Sequence, residues 1–467
     1  MIQEVSDYFD KHRDDVLGEL VEFASIPSIS ADPAFKPDVE RAARWIAERL
    51  VRAGVHCVRL MPTAGHPVVY GEWTKAPGAA TILVYGHHDV QPADPIEKWA
   101  SDPFHAEVRE GCLYGRGVSD DKGPLLIPIN VIQAFLATAG TLPVNVKFLI
   151  EGEEESGSPS LEAFLREQSS LLAADFVLSA DGAMWRSDEP SLTVASRGLV
   201  GLGLTLAGPA KDLHSGRHGG AVANPLNAVA QLVASLHTSD GRVAVDGFYD
   251  DVVELTAAER SAVRALPFDE EGYLREVGAT VGFGEPGYSL LERLWIRPTL
   301  DLNGLWGGYQ GSGRKTVIPS EGHAKITCRL VPRQDPHDIL EKTVAHLNRH
   351  VPRGARLSMT YNDQVCFPYR IADDHIGLKV AEVALQRVYK TPPIKVMMGA
   401  SLPACDLFRA HLHLDTVFFS FSTADEDYHA PNEFFRIRRL YEGLEAWASY
   451  CELLAAATVS ASAAAGT

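Results

Sequence analysis

Residues 81–92 read TILVYGHHDVQP: an apolar run, Gly86, then His87, His88 and Asp89. A short, near-continuous apolar run is what a strand buried on both faces of a parallel sheet requires. The polar groups begin where that run stops, and burying imidazole or carboxylate is costly unless it pairs or binds a cation. The pattern recurs. VNVKFLI (144–150) leads into Glu153-Glu154-Glu155, DFVLSA (175–180) into Asp181, and TVFFSF (416–421) precedes His429. Ligands of open α/β sheets sit outside the carboxyl ends of the strands, so these loops should converge on one crevice.

Outward from these strands the chain turns helical. Residues 5–24 and 39–54 carry apolar side chains at helical spacing, and Pro27 closes the first stretch. Residues 125–140 predict another helix, kinked or started late by Pro128. Such alternation predicts an α/β domain with a mostly parallel sheet. Near Leu192 the character changes. Residues 191–208 are β-like and glycine-punctuated, and 323–331 alternate as a half-exposed strand does; 335–350 read as a helix capped by Asp335 with Pro336 in its first turn. The expected division is an α/β domain in two parts, 1–195 and 373–467, with an α+β insert over 196–372. A last helix is expected from about Phe434, fraying in the low-complexity stretch 455–467.

Bulk properties narrow the class. At 467 residues and 46% apolar, the chain should form two or three packed units. A formal charge of −18 argues against nucleic acid, which needs a basic face. The charged, amphipathic first twenty residues do not read as a secretory signal, and no unbroken apolar run reaches membrane-spanning length. The 6 cysteines are scattered without a C-x-x-C pair, which suggests free thiols in a reducing cytoplasm.

Asp120-Asp121 lies in a loop bracketed by Gly115 and Gly123. Adjacent acids repel, so a cation should hold one, while the exposed amides of a helix start would favour the other. Three acids in a row are usually a solvated run. Glu153 to Glu155 instead leave a buried strand directly, a place for a metal ligand beside a general base. A lone histidine at a strand end is ordinarily a cap. His87 with Asp89 two residues on fits a metal ligand whose tautomer a carboxylate sets. Charge balance agrees: Asp120, Glu155, Asp181 and one hydroxide would neutralise two divalent cations, with His87 and His429 completing the shells. Such donors suit Zn²⁺, Mn²⁺ or Co²⁺ better than Ca²⁺.

On these residues the chain resembles the aminoacylase/carnosinase/desuccinylase family of co-catalytic metallopeptidases. GHHDVQP (86–92), YGRGVSDDKGP (114–124), EGEEESGS (151–158), DLHSG (212–216), KTVIP (315–319) and RLVPRQ (329–334) are especially similar to its carnosinase-like dipeptidase branch. The likeness runs from about residue 10 to 455. It implies a dimetal-peptidase catalytic domain with an inserted α+β lid and dimerisation domain. It implies that His87 and Asp181 serve one metal, Glu155 and His429 the other, and that Asp120 bridges them ahead of a cis peptide to Asp121. Glu154 would be the general base, Asp89 would orient His87, and His214 would stabilise the oxyanion across the interface of a homodimer. Arg329 would clamp the substrate carboxylate, Lys315 and Thr316 would shape the same pocket, and Ser401 would touch substrate. For Arg329, an exposed charge on a strand face is the alternative.

The activity so implied is two-metal hydrolysis of cytoplasmic dipeptides or small peptides with a free C-terminal carboxylate. The dipeptidase branch carries an acid and two glycines before a serine, where this chain reads Met397-Met398-Gly399-Ala400-Ser401. That departure leaves N-acyl-amino acid hydrolysis, of aminoacylase or desuccinylase type, and carboxypeptidase action as alternatives. A serine hydrolase would need G-x-S-x-G, and Gly399 to Pro403 lacks the second glycine. GLGLTLAG (201–208) lacks the glycine spacing of a dinucleotide site. A non-catalytic, metal-stabilised binding protein would be expected to lack Glu154 or His214, and both are present.

Overall fold

The computed structural model describes residues 2–361 and 365–465. Two compact units are formed, one from Met1–Val194, Ile371–Val396 and Leu407–Thr467, the other from Ala195–Arg370 and Met397–Asp406. Residues Met397–Asp406, expected in the second part of the α/β domain, group with the other unit.

In the first unit β1 (His56–Met61), β2 (Val68–Trp73), β3 (Thr81–His87), β4 (Asn145–Glu151), β5 (Phe176–Ser179) and the strand Thr416–Phe418 make a six-stranded sheet. Its order is β1-β2-β4-β3-β5 followed by Thr416–Phe418, and only the pairings β1 with β2 and β2 with β4 are antiparallel. Leu83, Val84, Phe148, Leu149, Val177 and Leu178 have no exposed surface, as central parallel strands require. The chain leaves β3 for β4 on one side and returns to β5 on the other. Around β3 the strand order therefore reverses, which opens a crevice at the carboxyl ends. Register brings His87 beside Glu151 and Tyr85 beside Ser179.

The helix Gly123–Ala139 between β3 and β4 starts directly after the Asp120 loop and runs through Pro128, so the proline does not delay it. With the turn before it, this helix is long and apolar enough to cross a membrane by length and composition, but 72% of that window is buried inside the protein. It is a core helix. Phe434–Arg436, expected to open the last helix, is a strand paired antiparallel with Cys112–Tyr114. The helix starts at Ile437 and continues to Ala465.

In the second unit β6 (Gly198–Ala207), β7 (Thr299–Gly307), β8 (Glu321–Leu330) and β9 (Arg356–Tyr361) form an antiparallel sheet in the order β7-β8-β6-β9. Alternate residues Leu202, Leu204 and Leu206 point into a core shared with Leu232 of the helix Pro225–Ala234 and Leu347 of the helix Pro336–His350. The Asp335 carboxylate accepts the His337 N–H at 2.8 Å, the cap read from sequence.

Candidate metal centre

His87 ends β3 with no exposed surface. Its Nδ1 lies 3.1 Å from the Asp89 carbonyl oxygen and 3.4 Å from the Asp89 carboxylate. A proton held there leaves Nε2 as the lone-pair nitrogen. That Nε2 is 3.1 Å from Oδ1 of Asp120. Oδ2 of Asp120 is 3.0 Å from Nε2 of His429, which also lies 3.0 Å from Oε2 of Glu155. Donor atoms of His87, Asp120 and Asp181 fall within 4.8 Å of one another, and so do those of Asp120, Glu155 and His429. Asp120 belongs to both sets. Each set offers one imidazole and two carboxylates, a donor chemistry that fits a divalent transition ion. The peptide from Asp120 to Asp121 is cis.

The glutamate loop is fastened to the same framework. The Asp89 carboxylate accepts the backbone N–H groups of Glu154 at 3.3 Å and Glu155 at 3.0 Å. Gln91 donates its amide to the Glu155 carboxylate at 2.9 Å and to the Glu155 carbonyl at 3.0 Å. Sequence reading gave Asp89 one task and Gln91 none. Both lie within four residues of His87, so position at the strand exit was the available signal.

The centre gathers more negative charge than its own groups neutralise. Burial pushes the Asp181 carboxyl up to about 6, with Asp120 and Glu155 adding to it against His87. Burial likewise drives Glu154 well above the carboxylate range, with Asp181, Asp120 and Glu155 reinforcing it. Asp120 is held low, because hydrogen bonds from His429 and His87 outweigh burial. The His429 imidazole is raised to about 10, first by Asp120 and then by Glu155. Crowded carboxyls raised by their neighbours are relieved by cations.

The remaining sequence-predicted residues lie in the second unit, in two groups. His214 pairs with Val317 across a short antiparallel bridge, and its Nε2 is 3.4 Å from the Thr316 hydroxyl. The Lys315 ammonium is 4.0 Å from the Asp212 carboxylate. Arg329, on β8, donates from Nη1 to the Ser401 hydroxyl at 2.8 Å. Among the described residues Arg329 has no carboxylate partner, which separates it from an ordinary strand-face ion pair.

The model of the peptidase family M20/M25/M40 matches residues 83–453. A Cys-Gly metallodipeptidase of Schizosaccharomyces pombe is 30% identical, over 97% of this chain and 98% of its own. A human Beta-Ala-His dipeptidase is 30% identical, over 96% and 92%. The solved structure of an M20 family metallo-carboxypeptidase from Sulfolobus solfataricus superposes with a TM-score of 0.81 at 33% identity, covering 94% of this chain and 99% of that one.

Proposed function

The chain belongs to the peptidase family M20/M25/M40 as a metal-dependent peptide-bond hydrolase, and we propose that it cleaves dipeptides or similarly small peptides with a free C-terminal carboxylate at a centre of two divalent ions. The observation that carries this is the placing of Asp120, whose two carboxylate oxygens face His87 and His429 respectively. His87 and Asp181 would hold one ion, Glu155 and His429 the other, with Asp120 between them. Zn²⁺ or Mn²⁺ suits these donors, and Co²⁺ is a third candidate. Bound there, the ions would acidify a water and polarise the scissile carbonyl.

The chain's own residues supply the rest. Glu154, its carboxyl raised by burial, takes the proton of the attacking water and delivers it to the leaving amine. Asp89 fixes the His87 tautomer and the backbone of the glutamate loop. Arg329 receives the substrate carboxylate, steadied by Ser401, and Lys315 and Thr316, which lie beside His214, are assigned to the substrate pocket by the family likeness. His214 stabilises the oxyanion from the partner subunit of a homodimer, in a lid and dimerisation domain formed by the insert. This part of the proposal is supported by the family likeness. Free thiols at all 6 cysteines accord with a cytoplasmic setting.

Carboxypeptidase or N-acyl-amino acid hydrolase action is the second reading. It is favoured by the absence of an acid before Gly399-Ala400-Ser401 and by the 33% identity to a metallo-carboxypeptidase. The deciding experiment follows cleavage of dipeptides, N-acyl-amino acids and longer peptides by metal-stripped protein with Mn²⁺ or Zn²⁺ restored. Glu154→Ala serves as the blank. Metal-dependent cleavage of dipeptides supports the first reading, preference for acylated or longer substrates supports the second, and inactivity of metallated wild type against every member rejects both.

A further inference from the structure

Two fully buried glutamates, Glu426 and Glu433, stand at the feet of the loop that carries His429. The backbone closes the loop between them, Phe434 N–H donating to the Glu426 carbonyl at 3.1 Å. Each foot is fastened to the loop that carries Asp120. The Glu433 carboxylate accepts the backbone N–H groups of Gly117 at 2.8 Å, Ser119 at 3.0 Å and Asp120 at 3.2 Å, and pairs with Arg116 at 2.8 Å. Glu426 accepts the Ser119 hydroxyl at 2.7 Å and is itself held by the N–H groups of Thr423 at 3.0 Å and Arg436 at 3.1 Å. The bonds to the Asp120 loop join segments more than 300 positions apart in the chain.

We propose that Glu433, seconded by Glu426, is a positioning clamp that holds Asp120 and His429 at the spacing needed to share a metal ion, and so sets the affinity of the Asp120–Glu155–His429 set. This rests on the two-metal reading above. Glu433 binds the amide of Asp120 itself, so loosening it shifts the origin of a side chain whose two oxygens serve different partners. The two donor sets should not suffer equally. Glu155 is placed separately by Asp89 and Gln91, and His87 is embedded at a strand end. His429 sits half-exposed on the clamped loop, with a backbone φ of 65°. The larger loss therefore falls on the set that contains His429.

Calorimetric titration of Mn²⁺ into the metal-stripped full chain tests this, with circular dichroism to establish folding. Wild type should take up two ions. In Glu433→Gln one of the two sites should weaken by about 10–100-fold while the other changes far less, a loss typical of outer-sphere partners of metal ligands. Electron paramagnetic resonance at one equivalent of Mn²⁺ should then show isolated rather than paired ions. If Glu433→Gln does not fold, Ser119→Ala decides on the same measure. It removes only the hydroxyl bonded to Glu426, and should weaken that site by about 2–10-fold. Two sites of wild-type affinity in a folded variant overturn the clamp alone. A wild type that binds fewer than two ions overturns both the clamp and the two-metal reading.

Discussion

The carboxylate of Asp89 accepts the backbone N–H of Glu155 at 3.0 Å. One side chain thereby ties the exit of β3, where His87 sits, to the loop that follows β4.

Replacing Asp89 should accordingly do more than unsettle one imidazole. Asp89→Asn would lose a charge that favours the Nδ1–H tautomer of His87 and weaken two hydrogen bonds to the glutamate loop. Metal affinity and kcat should each fall by about 10–100-fold. Mn²⁺ titration beside steady-state kinetics is the check, and wild-type affinity in the variant would confine Asp89 to a packing role.

Arg329→Lys keeps a positive charge but not the planar fork that matches a carboxylate. For dipeptides with a free carboxylate, KM should rise by about 10-fold or more with a smaller change in kcat, as expected for loss of a charge-assisted bond. C-terminally amidated dipeptides should be poor substrates of the wild type and should be affected little by the substitution. An equal loss on both substrate types would place Arg329 outside carboxylate recognition.

Glu154→Ala and His214→Ala chains should each be inactive alone. If His214 serves the partner's centre, a mixed dimer contains one complete site. Statistical exchange makes half the dimers mixed, so mixing should restore about a quarter of wild-type activity. Inactive mixtures, with exchange confirmed by a tagged subunit, would place both residues in one chain's site.

Acid stability of the second unit should depend on Glu292. This carboxylate is fully buried, bonded to Arg260 at 2.7 Å and to the Ser289 N–H at 2.6 Å. Burial alone would raise its pKa, but Arg260, the Ser289 amide and Arg264 bring it down to about 2. A depressed carboxyl contributes stability above its unfolded pKa, near 4.5, and that contribution disappears as pH falls from there towards 2. Each tenfold change in proton affinity is worth about 1.4 kcal/mol, so the contribution is at most about 3.5 kcal/mol. Glu292→Gln should lower the unfolding free energy at pH 7 and flatten its decline between pH 5 and pH 2. Parallel stability curves for the two proteins would remove Glu292 from the account.

Much of the fold and of the candidate centre could be read from local pattern. Thr81 to Tyr85, Val144 to Ile150 and Phe176 to Ala180 announce themselves because strands buried on both faces must be apolar throughout. His87, Glu155 and Asp181 stand out because polarity begins where each run ends. What local pattern does not contain is pairing across hundreds of residues. Glu426 and Glu433 look like ordinary surface acids in EDYHAPNEFF, and Arg116 like an ordinary loop cation, until the fold buries Glu433 against Arg116 and the Asp120 loop. The segment Phe434–Arg436 likewise reads as helix, since only its partner Cys112–Tyr114 makes it a strand. By itself the sequence determined which segments are buried and where their polar groups begin, because desolvation acts on each residue's own chemistry. Only the tertiary structure decided which of those groups meet at Asp120 and what holds them there, because hydrogen bonds to buried carboxylates depend on distance in space and leave no period in the chain.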